Sequence, residues 1–130
     1  MRLLTLFAAG FVLVSTPALA QMSASFTWGD IPLCTSVQPN NVPNPEFVIT
    51  GLPKETKVFE LWLKDLDRPG FKDGGAKLRI SKDGTVPSGL FTYKSPCPPD
   101  GPHTYEWTVI AKCAKCGVLE KIKVRRQYPE

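Results

Sequence analysis

The sequence has little of several things. One histidine stands among 130 residues, methionine occurs twice, and 16 basic against 12 acidic residues leave a formal charge of only +4. So mild a balance excludes a strongly basic nucleic-acid binder. No apolar stretch approaches the ~20 residues that a transmembrane helix needs; the longest, Leu3 to Val14, spans twelve. Hardly any window of ten residues holds a helical apolar period free of proline and glycine, which excludes a coiled coil. No internal repeat is present, and the length fits one domain, too short for a large multidomain enzyme.

What is there begins with an address. Arg2, the apolar run to Val14, the Thr16-Pro17 break and Ala18-Leu19-Ala20 read as a secretory signal peptide with an A-x-A cleavage site. Residues 1–20 are accordingly assigned to the signal peptide and 21–130 to a single exported domain, periplasmic or secreted. All four cysteines lie in that domain, where an oxidising compartment makes pairing their default fate. Cys34 with Cys97 and Cys113 with Cys116 is the expected connectivity, because the second pair is close in sequence and the first two then have only each other.

The 13 prolines and 10 glycines are scattered at short intervals and argue for an all-β domain. Strands are expected at Ser25 to Trp28, Glu46 to Thr50, Lys57 to Lys64, Lys77 to Ser81, Leu90 to Tyr93, His103 to Ala111 and Val118 to Arg125. Seven short strands suggest a β-sandwich with little or no helix. His103, Tyr105, Trp107, Val109 and Ala111 alternate onto one face, the expected core face. Val58 to Leu63 is largely apolar on both faces and reads as a strand covered on both sides. Asp83-Gly84 is an expected hairpin turn, and Cys34 to Pro45, rich in proline and asparagine, is expected to be irregular. Lys121 to Arg126 alternates cationic and apolar side chains, as an edge strand with one wet face does; attraction to anionic lipid would lack an apolar anchor there.

Three constellations could carry chemistry. Asp65-Leu66-Asp67-Arg68-Pro69-Gly70 follows the most apolar strand, so Asp65 and Asp67, two apart, project together where the chain leaves the core. Alone, the motif serves equally as a solvated turn, and it fits a calcium loop poorly because Pro69 and Gly70 occupy a ligand position. Ser95 to Tyr105 is a proline-stiffened segment that delivers His103 one pleat from Tyr105; a lone histidine is more often a satisfied structural residue, but on this rigid backbone it also makes with the phenol a preorganised pair suited to an anion or hydroxyl. Cys113-Ala114-Lys115-Cys116 could be a redox pair, but a strand follows it where thiol activation requires a helix N-terminus, so a closed disulfide is the main reading. Zinc would need two more ligands at matching spacing.

The pieces FELWLKDLDRPG and YKSPCPPDGPHTYEWTVIAK together resemble the phosphatidylethanolamine-binding protein (PEBP) family, in its small bacterial Raf-kinase-inhibitor-like branch. GLPKETKVFEL is similar to the family's lead-in, and the resemblance spans roughly Phe26 to Lys112. It implies a β-sandwich with a small anion pocket at one end, and a site made of Asp65, Asp67, Pro69, His103 and Tyr105 with Pro98, Pro99 and Gly101 as its rim. It also implies a cis Arg68-Pro69 bond. The family has a further histidine between the two motifs; this chain has none, and Lys72, Asp73 or Lys77 would take its place.

The function expected on this reading is an exported, non-enzymatic binding protein for a small anionic or phosphorylated ligand, a phospholipid headgroup being one such ligand. No Ser-His or Cys-His pair signals a nucleophile, and no cofactor, metal or nucleic acid is called for. The alternative is a secreted interaction module or hydrolase inhibitor that uses the rigid proline-rich loops as a binding edge; no protein partner is identified by the sequence.

Overall fold

The computed structural model describes residues 12–15, 21–34, 38–79 and 84–130. The export-signal reading falls mainly on residues 1–11 and 16–20, which lie outside the described residues, as does Asp83 of the expected hairpin turn. Among the described residues no helix is long and apolar enough to cross a membrane.

The described chain is all β. Its nine strands are β1 (Ser23–Phe26), β2 (Asn41–Pro43), β3 (Phe47–Thr50), β4 (Val58–Asp65), β5 (Lys72–Arg79), β6 (Gly84–Val86), β7 (Thr92–Lys94), β8 (His103–Lys112) and β9 (Val118–Tyr128). They form a four-stranded sheet in the order β5-β4-β8-β9, a three-stranded sheet β1-β3-β6 and a β2-β7 pair. All pairings are antiparallel.

The large sheet owes its register to one apolar face. Leu61 lies opposite Val109 and Leu63 opposite Trp107, so the side chains alternating inward from β4 and β8 form one continuous surface. The two smaller sheets close over that surface. Trp107, fully buried, meets Phe47 and Tyr93 at 5.2 Å between ring centroids, Phe91 at 6.1 Å and Phe26 at 6.5 Å, all edge-on. Such T-shaped contacts add to area burial because the positive ring edge meets a negative ring face.

Four expectations are corrected. The first is the irregularity of Cys34 to Pro45, which contains β2: Val42 is buried opposite Tyr93, and Pro43, lacking an N–H, is tolerated at the end of a short strand. Asn44 then organises the loop, its amide donating to Pro45 and Pro87 carbonyls at 2.8 and 3.0 Å while its oxygen accepts from Leu90 and Phe91 N–H at 2.7 and 2.9 Å. The second is the hairpin at Asp83-Gly84, since β6 pairs with β3 and β5 with β4. Burial of Val86 opposite Phe47 outweighs the local turn signal and carries the chain to the other layer.

The third concerns β4, which is covered on one side only. Trp62 is 40% exposed, and its indole leans over Gly75 of β5, where a Cβ would come within 2.6 Å of the ring. The fourth is the peptide bond before Pro69, which is trans; the cis bond among the described residues is Tyr128-Pro129. Phe71 N–H donates to the Arg68 carbonyl at 3.0 Å, so Pro69 sits second in a β-turn, the position its fixed φ suits with a trans bond.

The outward face of the large sheet is charged. Glu60 on β4 is 2.7 Å from Lys112 Nζ and 3.2 Å from Lys77 Nζ; Glu106 on β8 is 2.8 Å from Arg125 Nε and 3.6 Å from Lys123 Nζ. The hydrogen bond from Lys112, with Lys77 adding to it, holds the Glu60 carboxyl below its ordinary value against a desolvation that pushes the other way. β9 is an edge strand, its lysines outward and Ile122 and Val124 half-buried inward.

Candidate functional site

The site lies where β4 leaves the sheet and β8 begins. Asp65 is the last residue of β4 and keeps the inward parity of Leu61 and Leu63, so its carboxylate enters the core's end, 4% exposed. A buried carboxylate is tolerated only when its lone pairs are taken up. Here Oδ1 accepts the N–H groups of Asp67 at 2.9 Å and Arg68 at 3.1 Å, and Oδ2 lies 2.7 Å from His103 Nδ1. A carboxylate can only accept, so the proton of that contact belongs on Nδ1.

Asp67 completes the clamp from the exposed side. Its Oδ2 accepts Thr104 N–H at 2.7 Å, and Leu66 N–H donates to the Thr104 carbonyl at 2.9 Å, which fastens the turn after β4 to the first residues of β8. Asp65, Asp67 and His103 thus hold donor atoms within 4.8 Å of one another, tied by hydrogen bonds. Tyr105, opposite Asp65 in the register, is 1% exposed. Burial first, then the neighbouring Asp65 and Asp73 charges, pushes its hydroxyl far above the ordinary phenol value, so it stays a neutral donor.

A cavity of about 370 Å³ opens against this corner, lined by Asp65, Asp73 and Tyr105, by Phe71, Pro39 and Cys97, and by Arg68, Lys94 and Gln38. Cys97 is joined to Cys34, with Cα atoms 5.4 Å apart, so the long-range disulfide stiffens one wall. The local Cys113–Cys116 disulfide closes the distant β8-β9 turn. Arg68 reaches toward the Phe71 ring, 6.0 Å from its centroid.

Of the residues expected at the site, Asp65 and Tyr105 line this cavity. His103 and Asp67 hold Asp65 and the turn without belonging to the lining. Pro69 lies on the adjoining turn, with Arg68, Gly70 and Phe71 around a shallow hollow. Pro98, Pro99 and Gly101 are likewise outside the lining, where Gln38, Pro39, Lys94 and Cys97 stand. Among the three residues considered for the absent second histidine, Asp73 reaches the cavity, while Lys77 points to the outer face and its partner Glu60.

Asp73 is the one of those three candidates that the structure brings to the site. It is 2% exposed, its Oδ2 accepts Asp65 N–H at 3.1 Å, and burial, reinforced by the Asp65 charge, raises its carboxyl to about 7. A register shift between β4 and β5 at Leu63/Lys64 turns it inward from a strand whose sequence, Lys-Asp-Gly-Gly-Ala-Lys, has no apolar pattern to mark an inner face.

No family model matches the chain, and no curated protein does. Among solved structures it is similar to a phosphatidylethanolamine-binding protein homologue from Chlamydia trachomatis, with a TM-score of 0.57 at 15% identity, covering 68% of this chain and 82% of that one. The chain therefore has a PEBP-like, all-β fold.

Proposed function

We propose that the protein is an exported, non-enzymatic binding protein that takes a small phosphorylated or otherwise anionic ligand in the cavity at Asp65, Asp73 and Tyr105, a phospholipid headgroup being one such ligand. One observation carries the reading: a cavity of about 370 Å³ whose wall bears Arg68 and Lys94, with Gln38, Asp65, Asp73 and Tyr105 as its other polar groups. Cavities of this order hold small ligands with a few placed polar groups. Arg68 and Lys94 supply charge for phosphoryl oxygens, the Arg68 guanidinium offering a planar fork. The protonated form of Asp73 supplies a donor, while the Asp65 charge is already met by two backbone N–H groups, His103 and the Tyr105 hydroxyl. Two disulfides and the N-terminal apolar run support export to an oxidising compartment.

Isothermal titration with inorganic phosphate and with phosphoethanolamine tests the reading. The wild type should bind both, and Lys94→Glu and Arg68→Glu should each weaken binding about tenfold or more. Tyr105→Phe, which keeps the ring, should weaken it by less. Unchanged binding in both charge reversals, or none by the wild type, would dispose of the phosphoryl site.

A further inference from the structure

The sequence row Lys121 to Arg126 has a counterpart that only the sheet register reveals. Side chains alternating outward place Lys72, Lys77 and Arg79 of β5, Lys64 of β4, Lys112 of β8, and Lys121, Lys123 and Arg125 of β9 on one face of the large sheet. Those eight cations face only two carboxylates, Glu60 and Glu106, an excess of six that exceeds the +4 of the whole chain. Each carboxylate is already shared by two cations. Among the described residues no ion pair holds Lys64, Lys72, Arg79 or Lys121.

Between the cationic strands stands Trp62, 40% exposed, whereas Trp28 and Trp107 are buried. The row on β9 therefore has the apolar anchor that its own sequence lacks. Strands of eight residues or more, at about 3.3 Å per residue and about 4.8 Å between strands, make this a two-dimensional array roughly 25 by 15 Å. A linear polyanion would follow one track, but here the cations occupy both flanking strands and both central ones, as a planar anionic surface requires.

We propose that this outer face docks on anionic phospholipid bilayers, the basic side chains meeting headgroup phosphates and the Trp62 indole entering the interfacial layer, where its amphipathic ring is favoured. The surface is distinct from the cavity, since none of its eight cations lines it.

Co-flotation with phosphatidylcholine vesicles, with and without phosphatidylglycerol, is the test. The protein should float only with the anionic vesicles, release at high salt, and show a blue-shifted Trp62 emission that Trp62→Phe removes. The triple variant Lys64→Glu, Arg79→Glu, Lys121→Glu touches no ion pair, should keep the wild-type circular dichroism and melting temperature, and should lose binding about tenfold or more. The cavity variant Lys94→Glu should still float, which separates this proposal from the ligand site. Absence of flotation, or flotation unchanged in the triple variant, overturns the proposal. So does binding to heparin or an oligonucleotide as tight as to vesicles with no change in Trp62 emission, which would mark a site for a soluble polyanion.

Discussion

The two faces of the four-stranded sheet come from the same strands one residue out of step, and they are held by different forces. Inward, Leu61, Leu63, Trp107 and Val109 are within 5% of complete burial and form one cluster with rings from the smaller sheets. Outward, two carboxylates lie under long side chains whose charged ends stay in water. The first face is close-packed and intolerant of lost volume. The second is a set of screened pairs whose members can change with little effect on the fold, which leaves that face free to be shaped by a partner. The candidate site occurs where the regimes meet, since Asp65 has the parity of the core but the chemistry of the surface.

This contrast is tested first at Trp107. Trp107→Ala should lose about 5 kcal/mol, the upper end for a fully buried aromatic, because four rings would line the void. Urea unfolding measures it, and a loss under about 1 kcal/mol would mean the inner face is not the core it appears from burial. The disulfides should divide in the same way. Replacing Cys34 and Cys97 by alanine opens a link of sequence separation 63 and should cost about 4 kcal/mol in the chain-entropy model, with weaker phosphate binding because Cys97 walls the cavity. The Cys113, Cys116 double variant, with a separation of 3, should cost far less in the same assay.

The boundary between the faces should show in pH dependence. Asp73 is raised from an ordinary 3.8 to about 7, so the folded protein holds this proton more tightly than the unfolded chain does. The stability it contributes is fully present below about pH 4 and is lost as pH rises through about 7. Asp73→Asn keeps an acceptor for Asp65 N–H and cannot ionise, so it should flatten that decline and gain about 1 to 3 kcal/mol at pH 8. It should also keep phosphate bound above pH 7, where the wild type acquires a repelling carboxylate. Thermal melts across pH 4 to 8, run with both proteins, decide it; parallel curves would place the titration elsewhere.

How far the sequence could be read follows from the same contrast. Period-two alternation from His103 to Ala111 reports the inner face directly, and β8 appears within a residue of its expected end. Asp65 and His103 could be placed together because antiparallel pairing brings the end of β4 beside the start of β8. β6, three residues with one buried side chain, carries too little pattern to be seen, and its pairing with β3 is a long-range choice that a local Asp-Gly turn signal cannot reveal. Asp73 could be named only as one of three candidates for a related reason: a register shift sets its direction, and such a shift lies in the pairing of two strands, outside either strand's own sequence. Trp62 misled the reading of β4 because an indole against a glycine looks, in sequence, like a residue awaiting a covering layer.

The smallest effect is expected at Glu106, and it is the most exacting for the contrast. Glu106 is 3% exposed, and its carboxylate accepts from Arg125 Nε at 2.8 Å, with Lys123 Nζ at 3.6 Å. Burial alone would suggest a costly loss, as for a charge left without its partner. Yet the Arg125 and Lys123 side chains are 61% and 54% exposed, so their attraction acts largely through water and is screened by salt. Glu106→Gln keeps the carbonyl acceptor for Arg125, removes one desolvated charge and leaves no cation stranded in the interior. The two terms oppose each other, and the net change should stay under about 1 kcal/mol by urea unfolding at moderate salt. The variant's stability should also depend less on salt than the wild type's. A loss above about 3 kcal/mol would show the outer carboxylates to be as structural as Trp107, and the division between a packed face and a screened one would not hold.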